Sequence, residues 1–137
     1  MLKPRWQGKS IVIGTASDPY ELAGDWFGIS RKILKVLAEI RNPTYITTKG
    51  MLVKKDLGIL MAMSKEADAR GSFSIGTSDD NVWRQMDPGA PSPEAQMEAM
   101  GYLAENGISC GIMVAPLLPW ISDGPRNIDD VIEMAAQ

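Results

Sequence analysis

Any chemistry in this chain has to come from hydroxyls, carboxylates and amines, because it contains no histidine and a single cysteine, Cys110. A Ser-His-Asp triad, an imidazole base and histidine–metal chemistry are therefore excluded. One thiol builds neither an internal disulfide nor, by itself, a zinc or iron–sulfur site. The remaining groups gather in four segments: Gly14-Thr15-Ala16-Ser17-Asp18-Pro19-Tyr20, Thr47-Thr48-Lys49-Gly50, Ser74-Ile75-Gly76-Thr77, and the stretch from Val114 to Asp123. Thr15, Ser17 and Asp18 combine two hydroxyls with a carboxylate, and the same residue types also make an ordinary turn. Lys49 is either a ligand-facing cation or a solvated loop lysine. Ser74 lies in an apolar run, where it meets a ligand or is satisfied by backbone. Ala115 offers only its backbone groups. Asp79, Asp80 and Asp87 carry the oxygens of a cation site, but they fall in a turn-rich stretch where helix capping and solvation account for them.

The elements that must position these groups alternate along the chain. Short β-branched runs predict strands at Ser10–Thr15, Thr44–Thr48, Ser72–Thr77 and Ser109–Ala115. Between them, helical spacing appears in Ile29, Ile33, Val36, Leu37 and Ile40, stopped by Asn42-Pro43. It appears again from Val53 through Leu57, Leu60 and Met61 to about Ala69, with Gly71 as the stop. A third helix is predicted after Ser92-Pro93-Glu94, which supply an N-cap, a proline at N1 and an early acid, and it closes at Gly107. A last helix is predicted to start at Asn127 as its cap. The strand spacing leaves room for strand, loop, helix and loop each time, which predicts a parallel α/β sheet of about four β/α units in one domain covering 1–137. In such folds ligands bind at the C-terminal ends of the strands, where all four segments fall.

The composition is that of a globular domain: 45% hydrophobic, 23% charged, with a formal net charge of −3. The acidic balance argues against broad nucleic-acid binding, which needs a basic face. No apolar run reaches the roughly 20 residues that span a bilayer, and Met1–Trp6 is not followed by a signal-peptide pattern, so a cytoplasmic protein is the expectation. The methionines fit core filling on helix and strand faces.

The first three segments and Val114-Ala115-Pro116-Leu117-Leu118-Pro119, in this order and spacing, together with Met86-Asp87-Pro88-Gly89-Ala90-Pro91-Ser92-Pro93 ahead of the third helix, resemble the radical-SAM proteins related to spore photoproduct lyase. The resemblance covers nearly the whole chain. It implies an open, curved parallel sheet, part of a (β/α) barrel, in which these are the second to fifth strands. It also implies S-adenosylmethionine and a [4Fe–4S] cluster as cofactors. By that resemblance Thr15, Ser17 and Asp18 would hold the methionyl ammonium, Lys49 its carboxylate, Ser74 the ribose or carboxylate, and Ala115 the adenine through its backbone. The family's cysteine loop follows its first strand, and neither that strand nor the sixth has a counterpart in this sequence. The cluster is accordingly not expected on this chain alone, and a cluster-bearing segment or second chain is the implied partner. The chain departs from the family at Glu21-Leu22-Ala23-Gly24-Asp25, at Ala95-Gln96 and at Trp120.

Three functions follow as expectations. The chain is a radical-SAM-like fragment unable to catalyse alone, or a non-catalytic module binding S-adenosylmethionine or a nucleotide, or a truncated remnant.

Overall fold

The computed structural model describes residues 8–20 and 28–136. Within them, β1 (Ile11–Ile13), β2 (Thr44–Thr48), β3 (Ala69–Ser74) and β4 (Ser109–Met113) form one sheet in the order β1-β2-β3-β4. Every neighbouring pair is parallel. The described helices are α1 (Ile29–Glu39), α2 (Leu57–Glu66), α3 (Asp80–Met86), α4 (Pro93–Glu105) and α5 (Pro125–Ala136), and a 3-10 turn over Met51–Asp56 runs directly into α2.

Side chains alternate across a strand, so the register sorts the sheet into two faces. One face carries the rows Ile11–Thr44–Ala69, Ile13–Ile46–Gly71–Cys110 and Thr48–Phe73–Ile112. It is the buried one: Thr44 is fully enclosed, and Ile46, Ala69 and Phe73 join Leu34 and Leu37 of α1, Leu60 and Met63 of α2, Ala99 and Leu103 of α4 and Val131 of α5 in one core. The opposite face carries Val12–Tyr45–Arg70–Ser109, Thr47–Ser72–Gly111 and Ser74–Met113. No described helix covers it: Val12 is 50% and Met113 47% exposed, and Arg70, Ser109 and Gly111 are exposed as well.

Local chemistry explains most boundaries. The Ser92 side chain accepts from the Ala95 amide at 3.2 Å, and Pro93 stands in the first turn of α4. Gly14, with φ of 97°, ends β1 in a conformation that side chains resist, and a Cβ there would lie 1.9 Å from the Thr47 carbonyl oxygen. Two short elements go beyond the sequence prediction: the 3-10 turn, and α3, which Asp79 caps by accepting from the amides of Asn81 (2.7 Å) and Val82 (3.2 Å).

Several predicted boundaries need correction. β3 runs over Ala69–Ser74, not Ser72–Thr77, because α2 already stops at Glu66 and Asp68 turns the chain with φ of 65°. Gly71 is thus a strand residue, not a helix stop, and the Cys110 sulfur would sit 3.1 Å from any Cβ placed on it. β1 and β4 are shorter than predicted, at Ile11–Ile13 and Ser109–Met113, closing before Gly14 and Pro116. The last helix starts at Pro125, and Asn127 does not cap it.

Candidate functional site

The C-terminal ends of the four parallel strands bring the four segments to one rim. After β1 the chain turns through Asp18, whose carboxylate accepts from the Tyr20 amide at 2.9 Å, the Thr48 hydroxyl at 2.6 Å and the Lys49 amide at 2.6 Å. Asp18 therefore fastens the loop after β1 to the end of β2. Thr48 extends the lock, its oxygen accepting from the Gly50 amide at 2.7 Å. Thr15 and Ser17 stand exposed on the outer turn of the same loop.

Lys49 leaves β2 and reaches Asp87, just beyond α3, in an ion pair of 2.5 Å. Its ammonium already has an internal counter-charge, and both side chains remain partly open to solvent. Ser74, the last residue of β3, donates to the Ala115 carbonyl at 3.0 Å. The structure thus joins Asp18 to the Lys49 backbone, and Ser74 to Ala115, within the described rim. Asp80 pairs with Arg84 along α3, and Asp79 is spent on capping.

The rim beyond β3 and β4 is held by residues that sequence reasoning missed. Asn127 accepts from the Thr77 hydroxyl at 2.8 Å and the Ser78 amide at 3.3 Å, and donates to the carbonyls of Gly76 (3.1 Å) and Ser122 (2.8 Å). Ser122 is fully buried; its hydroxyl donates to the Pro116 carbonyl at 3.4 Å and accepts from the Leu118 amide at 3.0 Å. Gly76 permits this crowding, since a Cβ would lie 2.7 Å from the Pro116 carbonyl oxygen. In the sequence Gly76 and Thr77 read as the end of a strand and Asn127 as a helix cap, and nothing in their spacing joined them into one cluster.

A second polar cluster lies where the loop after β1 meets α1 and the 3-10 turn. Buried Tyr20 donates to the Asp56 carboxylate at 3.1 Å, and Arg31 donates to the same carboxylate and, at 2.6 Å, to the Lys55 carbonyl. The Ser30 hydroxyl donates to the Pro19 carbonyl beside it. Burial pushes the Tyr20 phenol far above its usual range, and the neighbouring Asp56 charge adds to the effect. A hollow of about 200 Å³ opens against these residues.

The implied cofactors can be tested against these residues. A [4Fe–4S] cluster is held by several thiolates. Cys110, the chain's one cysteine, lies on the helix-covered face, and burial raises its thiol above the usual range, so it is held as a neutral packing group. These residues do not fit the cluster. The uncovered face fits a small polar ligand better: Thr47, Ser72, Ser74 and Gly111 line it with hydroxyls and an open glycine position, where a Cβ would meet nothing within 4 Å. Among the described residues no group of three or more acids or thiols is arranged to hold a metal ion, and no helix is long and apolar enough to cross a membrane. The departure at Glu21–Asp25 lies outside the described residues.

No family model matches the chain, and no solved structure does. It is similar to an uncharacterized protein of Mycobacterium tuberculosis, 28% identical over 134 residues, which are 98% of this chain and 39% of the relative. An uncharacterized protein of Acidianus two-tailed virus is 31% identical over 115 residues, 84% of this chain and 37% of its own. One of Methanocaldococcus jannaschii is 28% identical over 113 residues, 82% of this chain and 42% of its own. The chain spans about two-fifths of the length of the curated relatives it matches.

Proposed function

We propose that this chain is the ligand-holding part of a radical-SAM-type partial barrel, akin to the spore-photoproduct-lyase-like proteins, and that its uncovered sheet face takes S-adenosylmethionine. One observation carries this. Parallel sheets are normally covered by helices on both faces, whereas a barrel interior is the parallel face that no helix covers. Here the uncovered face is lined near its C-terminal end by Thr47, Ser72, Ser74 and Gly111, below a rim carrying Thr15, Ser17, Asp18, Lys49 and Ala115. Hydroxyls and an open glycine suit a polar ligand, not a second layer of apolar helices.

S-adenosylmethionine would bring an ammonium, a carboxylate, a ribose and an adenine to these groups. Lys49 is placed to trade Asp87 for the ligand carboxylate. Ser74 and Ala115 would keep their mutual hydrogen bond and present their remaining lone pairs. Asp18 contributes negative charge beside the ammonium while its oxygens keep the loop in place. The iron–sulfur cluster is assigned to a partner segment or chain, so catalysis is not assigned to these residues. A non-catalytic module for S-adenosylmethionine or a nucleotide would use the same face, and the packing role of Cys110 favours it over a self-sufficient enzyme.

Titration calorimetry with S-adenosylmethionine tests the site. Three or four weak polar contacts place the expected dissociation constant in the millimolar range, about −4 kcal/mol. Gly111→Leu fills the uncovered face without touching the core and is expected to abolish the heat. Lys49→Ala is expected to weaken binding by about tenfold, roughly 1.4 kcal/mol. No heat at millimolar ligand, or full binding by Gly111→Leu, would remove the site from that face.

A further inference from the structure

The loop that follows β4 holds a tryptophan that the fold itself does not use. Trp120 is 98% exposed, so its indole packs on almost nothing among the described residues. Its backbone has φ of 68°, a left-handed conformation that glycine adopts freely and a bulky side chain resists. Folding alone would therefore favour glycine here. The conformation is not slack in a loose loop, because the loop is tied at several points. The Trp120 amide donates to the Asp123 carboxylate at 2.8 Å, and the amides of Ile121 and Ser122 donate to the Leu118 carbonyl at 3.1 and 3.0 Å. Buried Ser122 bonds back to Pro116 and Leu118, and its carbonyl accepts from the Asn127 side chain at 2.8 Å. Strain that the surrounding bonds hold in place is typical of residues that meet a ligand.

We infer that Trp120 is a binding residue for the adenine ring of the ligand proposed above, its indole stacking on the face of that ring. The inference rests on that ligand occupying the uncovered sheet face. Position supports it. The Ser122 hydroxyl lies 3.4 Å from the carbonyl of Pro116, the residue after Ala115, and Trp120 is two residues from Ser122, no more than about 7 Å of chain. The indole is thus held out beside the segment assigned to the adenine. Charge supports it as well, because the sequence from Ser109 to Ser122 contains no charged residue and the adenine is an uncharged part of the ligand. Leu117 and Ile121, 43% and 57% exposed, add apolar surface on either side. A protein partner would need a patch several times wider than these three side chains. A purine ring needs only one aromatic face to stack on. An exposed side chain changes rotamer in picoseconds to nanoseconds, so the indole can swing onto a bound ring while the tied backbone stays still. Trp120 is one of the positions at which the chain departs from the proteins it resembles, so this contact is not among those the resemblance implies.

Proton–nitrogen correlation spectra test this, since they follow weak binding and report each tryptophan side chain separately. The indole signal missing from Trp120→Gly identifies that of Trp120. Three compounds are titrated: S-adenosylmethionine, 5′-methylthioadenosine, which keeps the adenosine but lacks the amino-acid group, and methionine, which lacks the ring. The Trp120 signal is expected to move with both adenosine compounds and to ignore methionine. Trp120→Gly is expected to weaken S-adenosylmethionine binding by about fivefold or more, and Trp120→Phe, which keeps an aromatic face, to stay within about twofold of the parent. In urea titrations Trp120→Gly is expected to be at least as stable as the parent, because it relieves the backbone and removes no packing, so its loss of binding is not a loss of fold. A Trp120 signal that stays still while S-adenosylmethionine moves the amides of Ser72 and Gly111 would overturn the stacking and leave the ligand face standing. Undiminished binding by Trp120→Gly would do the same. A Trp120 signal that moves with 5′-methylthioadenosine while those amides ignore S-adenosylmethionine would keep the stacking and sink the ligand face. No shift with any compound at millimolar concentration would overturn both.

Discussion

Tyr20 is a phenol only 6% exposed, hydrogen-bonded to a carboxylate that is itself 3% exposed and ion-paired to Arg31. Removing its proton would place two negative charges together away from water, so the folded state keeps the proton to a higher pH than the unfolded chain does. Above about pH 10, where an unfolded tyrosine ionises, the native state binds more protons than the unfolded state, and stability falls as pH rises. The full contribution is present below that pH. Denaturant titrations between pH 9 and 11.5 are expected to show the loss steepening toward about 1.4 kcal/mol per pH unit. Tyr20→Phe is expected to flatten this component while Cys110, also raised by burial, keeps its own smaller share. An unchanged alkaline slope in Tyr20→Phe would show that the phenol ionises freely. Residue types at the rim were legible from the sequence, because Asp18, Lys49 and Ser74 stand at predicted strand ends. Their partners were not. The Lys49–Asp87 and Ser74–Ala115 contacts depend on which strands are neighbours and in what register, and no local pattern encodes that.

Elements were readable where one period ran long enough. β2 alternates buried and half-buried residues along its whole length, and α4 announces itself by Ser92, Pro93 and Gly107. α3 escaped because seven residues hold too few turns for a periodic signal, and β3 shifted because Gly71 looked like a stop but serves a close strand approach. Glycines therefore have opposite meanings in different elements. Gly14→Ala combines a positive φ with a contact on the Thr47 carbonyl, and is expected to cost about 2 kcal/mol or more. Gly101→Ala, inside α4 with open space around it, is expected to stabilise by about 0.5–1 kcal/mol. Paired urea titrations measure both, and a Gly14→Ala chain as stable as its parent would mean that the loop after β1 can shift away from β2.

The described strands lie in the same order in space as in sequence, an order implied by the barrel resemblance, while the alternating pattern by itself predicted their parallel direction. An uncovered face was expected only through the barrel resemblance; the residues themselves do not announce it, because strand residues such as Thr47 and Ser72 look alike whether they face solvent, a ligand or a further layer. Strict sequential order also has a kinetic meaning. Each parallel pairing must close one crossover, and the entropy of closure grows with its length. The crossover from Thr48 to Ala69 is the shortest of the three, and that from Ser74 to Ser109 the longest. Pairing of β2 with β3 under α2 is therefore expected to form the folding nucleus, with β4 added after the barrier. In stopped-flow measurements Ile46→Val should mainly slow folding, whereas Ile112→Val should mainly speed unfolding. The reverse pattern would place the nucleus at the far edge, and the chain would then assemble from β4 inward.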